Sequence, residues 1–183
     1  MFRSIFSKIL FMLVFFVSCQ SSVTRWKLSV TQNKQIFAEL FKKEKVAPDT
    51  CHNLVVFYLP MVFCEPCKQD VAVYINSLLD KIGDFPQTNI LFAVPVMRKK
   101  EIPLFFTNDY YVDNYQDYPL VTTDSLPKIC YEKYHVLGAF MLAFKPDGSL
   151  LLKKQFKQTV AYYNDADSIA RIIFKKSPKC QSH

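Results

Sequence analysis

Glycine is almost missing from this chain: three residues in 183, at positions 83, 138 and 148. No glycine-rich loop exists to cradle a phosphate, so no nucleotide or other organic cofactor is expected. A second Cys-x-x-Cys pair is also missing, which argues against a four-cysteine zinc site. No apolar run approaches the roughly 20 residues that span a bilayer; the N-terminal run, residues 9–17, has nine. Proline does not occur between Pro127 and Pro146. Lysine and arginine outnumber the acidic residues 23 to 16, but in short clusters (Lys42-Lys43 with Lys45, Arg98-Lys99-Lys100, Lys175-Lys176) that read as solvated faces. No nucleic-acid partner is expected; the charge supports a mild preference for anionic partners or headgroups.

What the chain does have is Cys64-Glu65-Pro66-Cys67 at the junction of two elements. Residues 53–59 (Asn-Leu-Val-Val-Phe-Tyr-Leu) read as a buried strand, and residues 68–81 have helical periodicity, with Val71, Ala72, Ile75, Leu78 and Leu79 on one face. Two cysteines separated by two residues can close a small disulfide ring. At a helix N-terminus the first sulfur faces unsatisfied backbone N–H groups, which favour its thiolate. A second thiol nearby can then release a mixed disulfide. An inert structural bridge is the competing reading of the same four residues.

The N-terminus reads as an export signal. Arg3 and Lys8 precede the apolar run, and Phe16-Val17-Ser18-Cys19 resembles a bacterial lipoprotein cleavage box, with Phe16 where leucine is usual. The resemblance implies cleavage after Ser18, a lipid on Cys19 and a membrane-tethered protein in the cell envelope, facing the periplasm. Gln20 is not the aspartate that often marks inner-membrane retention, which leans toward the outer membrane. An ordinary secretory signal or an uncleaved anchor is the alternative. The organisation expected is a signal over 1–18, a tether over 19–31 with Trp26 packed on the domain, one domain over 32–176 and a polar tail over 177–183. Losing Arg3 and Lys8 with the signal would lower the formal charge of +7 by two. In an oxidising compartment Cys64 and Cys67 would rest as a disulfide. Cys51, Cys130 and Cys180 are scattered singly, and any pairing among them stays open.

Elsewhere α and β alternate. A helix is expected over 32–45 (Ile36, Leu40 and Phe41 inward), ended by residues 46–49, and residues 83–86 read as a turn. Residues 89–97 read as a second buried strand, parallel to the first through the crossover helix. The aromatic stretch 98–123 is too long for a plain connector, so it holds a helix packed on the core or covers a substrate-facing surface. A short helix over 125–134, with Pro127 in its first turn, precedes a hairpin of residues 138–145 and 150–156 around Pro146-Asp147-Gly148. A last helix over 165–175 has Ile169, Ile172 and Ile173 inward and Asp165 or Asp167 near its start.

This order resembles the thioredoxin fold, and residues 118–151 are similar to the membrane-anchored TlpA-type thiol–disulfide oxidoreductases. The resemblance implies a thioredoxin-like three-layer α/β/α sandwich with a central mixed β-sheet. It implies Cys64 as nucleophile and Cys67 as the resolving thiol, with Phe63 and Pro66 as family-like neighbours. The partners implied are exported cysteine-containing proteins and a membrane or periplasmic thiol donor. Two departures stand out. The cis-proline usual before the hairpin strand falls at Ala139 or Phe140, and a non-proline cis bond would cost roughly 2.5–4 kcal/mol, so a trans peptide is expected. The acidic or amide residue usual six positions before the first cysteine is Tyr58, a poor proton acceptor near neutral pH. Glu65 should further oppose a Cys64 thiolate, giving a more reducing couple than a strong oxidase. Some relatives of this fold without the cis-proline bind copper through two cysteines and a histidine, so Cys64, Cys67 and His135 form an alternative metal set, although the spacing of the cysteines argues against it. A non-catalytic, partner-binding lipoprotein with a bracing disulfide is the third reading. His52 is expected to be structural.

Overall fold

The computed structural model describes residues 33–42, 52–81, 89–156 and 166–173. The proposed signal and tether with Cys19 and Trp26, the stretch 46–49, Cys51, the turn at 83–86, Asp165 and the tail with Cys180 and His183 lie outside them.

Helix α1 covers residues 33–40. Strand β1 (Leu54–Tyr58) leads into α2 (Glu65–Leu79) and then β2 (Ile90–Val94). A helical turn, α3 (Ile102–Leu104), runs into a π-helical turn at Phe105–Tyr110, followed by β3 (Leu120–Thr122) and α4 (Leu126–Tyr134). The hairpin strands are β4 (Phe140–Phe144) and β5 (Leu150–Gln155), and α5 is Ala166–Ile173. The sheet order is β3-β2-β1-β4-β5. β1 pairs parallel with β2 (Val55 opposite Ile90) and antiparallel with β4 (Tyr58 opposite Phe140), and β3 is parallel to β2. The parallel β1-α2-β2 unit and the antiparallel hairpin form as the sequence pattern predicts.

Every residue of β1, β2 and β4 is buried, so these strands are covered on both faces. Alternation sorts their side chains into two cores. Val55, Phe57, Phe92 and Met141 pack with α2, α5 and the π turn. Val56, Tyr58, Leu91 and Leu142 pack with Ile36, Phe37 and Leu40 of α1 and with Leu126 and Cys130 of α4. The result is the α/β/α sandwich around a mixed sheet that the thioredoxin-like reading implies.

Three readings need correction. β3 was not foreseen, because three residues with a half-buried pattern carry too little periodicity to register as a strand. The second strand spans Ile90–Val94 rather than 89–97, because Pro95 has no N–H to continue the ladder. Ile172 is 49% exposed; the inward face of α5 uses Ala166, Ile169, Ala170 and Ile173 instead. The stretch 98–123 is a core-packing element: Phe105, Phe106 and Tyr110 are buried, with Phe106 edge-on to Phe92 and stacked on Tyr115. Side-chain amides tie the ends together. Asn53 Nδ2 donates to the Ile173 carbonyl (2.7 Å) and Asn33 Nδ2 to that of Gly148 (2.7 Å), while the Tyr134 hydroxyl donates to Asn33.

The α1–α4 side also buries two acids of high intrinsic pKa. Burial pushes the free thiol of Cys130 from 9.0 up to about 12, opposed by Lys133, and burial with the charge of Asp124 pushes Tyr58 from 10.0 to about 12. Each group holds its proton more tightly folded than unfolded. It therefore contributes stability below its unfolded value, and that contribution is lost as pH rises through the folded one. Denaturation midpoints should fall as pH climbs from about 9 to about 12, and Cys130→Val should remove the part of the fall that begins near pH 9.

Candidate active site

Cys64 is the N-cap of α2: extended at φ −67° and ψ 141°, it ends the loop that leaves β1 through Leu59, Pro60, Met61, Val62 and Phe63. Its sulfur accepts the backbone N–H of Cys67 (3.2 Å), which satisfies one of the helix's orphan donors. Pro66 sits in the first turn, where an N–H would have no intrahelical acceptor. Cys64 and Cys67 are joined as a disulfide with Cα atoms 5.1 Å apart. The two sulfur-bearing residues are unequal in access: Cys64 is exposed, whereas Cys67 is only 6% exposed. An outside reactant meets Cys64 first.

The loop before β4 faces this turn through Gly138. Its φ is +67°, and a Cβ there would stand 3.1 Å from Phe63 Cε2, so a side chain at 138 would meet both backbone strain and the ring beside Cys64. The next two residues, Ala139 and Phe140, are fully buried; no described peptide is cis. Phe140 stacks on Tyr58 at 5.0 Å between ring centroids, and the Ala139 carbonyl accepts the N–H of Phe156 (2.9 Å). Tyr58 thus belongs to the α1–α4 core, on the sheet face opposite the one that packs α2.

Sequence reasoning missed what holds the motif on its other side. The π turn clamps both shoulders of the cysteine loop: the Tyr110 hydroxyl donates to the Pro60 carbonyl (2.8 Å), and Asp109 pairs with Lys68 Nζ (3.7 Å). Lys68 also pairs with Glu65 (3.4 Å) and lies 5.9 Å from the Tyr110 ring centre. Farther along α2, the Asn76 amide donates to the Tyr111 carbonyl (3.0 Å) and to Asp113 (3.1 Å), and accepts the Asp113 N–H (3.1 Å). A usable signal was present. Lys68, Val71, Ala72 and Ile75 follow the i, i+3, i+4, i+7 spacing of a buried stripe, so the lysine occupies a core position.

The other candidates lie apart from this arrangement. His135 is the exposed left-handed C-cap of α4 (φ 56°), its ring edge-on to Tyr131 at 6.2 Å. Among the described residues no group of three His, Cys, Asp or Glu side chains converges to hold a metal ion. His52 is buried at the start of β1, as a structural role requires.

Gly138→Ala should destabilise the protein by about 1–2 kcal/mol through its left-handed backbone alone. Urea denaturation measures the loss, and the displacement of Phe63 should appear as faster reduction of the Cys64–Cys67 bond by a small thiol.

The chain matches no protein-family model and no curated protein. Among solved structures it is similar to a thiol:disulfide interchange protein from Bacteroides sp. (14% identity, TM-score 0.47, 73% of this chain and 81% of that one). It is also similar to a secreted Mycobacterium tuberculosis disulfide oxidoreductase homologous to E. coli DsbE (10%, TM-score 0.43, 67% and 80%). A third similarity is to BsSco, of the Sco family of cytochrome c oxidase assembly proteins (14%, TM-score 0.47, 68% and 81%).

Proposed function

We propose that the protein is a thiol–disulfide oxidoreductase that reduces disulfides in exported proteins through Cys64 and Cys67. The observation that carries the reading is the asymmetry of the pair: an exposed sulfur capping a helix N-terminus, bonded to a sheltered one a single turn later. In the reduced protein the Cys64 thiolate attacks one sulfur of a substrate disulfide. A mixed disulfide forms, and the other substrate sulfur leaves as a thiolate. Cys67 gives up its proton and attacks the Cys64 sulfur, which closes the ring and expels the second substrate sulfur. Two electrons have then passed to the substrate, and an external dithiol of the cell envelope returns them. The Cys67 N–H and the helix N-terminus favour negative charge on Cys64 at both ends of this cycle.

Exposed Met61 and Val62 precede Cys64, and Val62 is 90% exposed. An apolar approach to the sulfur suits a polypeptide substrate better than a small polar thiol. In this reading residues 1–18 direct export and a lipid on Cys19 tethers the domain to the envelope membrane. That proposal rests on the N-terminal sequence. Radiolabelled fatty acid should enter the wild-type protein and not Cys19→Ala.

Cys64→Ser should reduce insulin disulfides no faster than background. Cys67→Ser should still attack but not resolve, so mixed disulfides through Cys64 should accumulate in cells and be released by reductant. A fully active Cys64→Ser protein would sink the proposal.

A further inference from the structure

Lysine is seldom buried without a reason, since its ammonium loses hydration that paired carboxylates restore only in part. Lys68 is the one buried lysine or arginine among the described residues, its side chain 10% exposed, and it directly follows Cys67. Its backbone N–H donates to the Cys64 carbonyl (3.0 Å), so it stands one turn above the nucleophile. Helical side chains lean toward the N-terminus, which carries the ammonium back over the turn that Cys64 caps. There it meets Glu65, the neighbour of Cys64, and is held from outside by Asp109 and the Tyr110 ring.

We infer that Lys68 is a positioning residue whose buried ammonium cancels the Glu65 carboxylate beside Cys64 and so keeps the Cys64 thiolate accessible near neutral pH. The inference deepens the exchange reading and rests on it. The groups that meet this charge are Glu65 from the first turn of α2, and Asp109 and Tyr110 from the π turn. Two carboxylates share one ammonium, so removing the cation leaves uncompensated negative charge around Cys64. Both carboxylates are solvent-exposed, Glu65 57% and Asp109 46%, so salt screens part of that charge and the effect is largest at low ionic strength. The pair with Asp109 on the π turn helps fix where the ammonium sits.

The test is the rate of alkylation of Cys64 by iodoacetamide in the fully reduced protein, followed against pH and read at that cysteine by mass spectrometry. Lys68→Met should shift the profile to higher pH by about one unit, roughly tenfold less thiolate at pH 7, while Lys68→Arg keeps the wild-type profile. Glu65→Gln should shift it to lower pH, and by more in the Lys68→Met background than in wild type, because the lysine no longer masks the carboxylate. A folded Lys68→Met protein with the wild-type profile would overturn the inference. Should that variant not fold, Lys68→Gln takes its place, keeping a polar side chain at the position without the charge; a folded Lys68→Gln protein with the wild-type profile overturns the inference too. Alkylation needs no substrate, so insulin reduction run beside it separates the two readings: a wild-type protein that alkylates normally yet reduces nothing refutes the exchange function and not the charge balance.

Discussion

Everything at the candidate site depends on the complete burial of β1. Leu54–Tyr58 is hydrogen-bonded to β2 on one side and β4 on the other, and both of its faces are covered. The chain leaving such a strand cannot slip in register, because a one-residue shift would move Phe57 and Tyr58 into each other's cores. The loop from Leu59 to Phe63 therefore starts from a fixed point, and Cys64 arrives at the N-terminus of α2 rather than near it. Helix α2 is fixed in turn by Val71, Tyr74, Ile75 and Leu78 in the same core as Phe57.

On this rigid base the π turn adds a second level of control. It reaches the cysteine loop before the motif, through Tyr110 and Pro60, and after it, through Asp109 and Lys68. A π-helical turn is an uncommon backbone that persists where side-chain docking outweighs its poorer hydrogen bonding. Here the docking is aromatic on one side, with Phe105, Phe106 and Tyr110 in contact, and polar on the other. The segment thus packs the core and touches the cysteine loop at once.

The legible part of the fold was the part with strong periodicity. Runs such as Leu-Val-Val-Phe-Tyr and Ile-Leu-Phe-Ala-Val are short for a helix and rich in β-branched and aromatic residues, so they read as buried strands, and Pro-Asp-Gly between two apolar segments marks the hairpin. Cys-Glu-Pro-Cys marked the pair that the structure joins as a disulfide. What could not be read was long-range. Nothing local says that Asp109 returns to Lys68 or that Tyr110 reaches Pro60, 50 positions apart. Gly138 was passed over for Ala139 and Phe140 because the proline pattern directed attention to the peptide bond. The structural demand at that place is instead for a residue without a side chain against Phe63. Glu65, read alone, opposed a thiolate; beside Lys68 its charge is shared.

Disulfide exchange requires that the Cys64–Cys67 bond open and close in the folded protein. Thiol trapping across a series of dithiol buffers, with the pair read by mass spectrometry, tests it most directly. A reversible two-electron couple is expected, more reducing than the roughly −120 mV of a strong oxidase and toward the roughly −270 mV of a thioredoxin-type carrier. A bond that stays oxidised in every buffer until the protein unfolds would contradict it and leave the pair a structural brace.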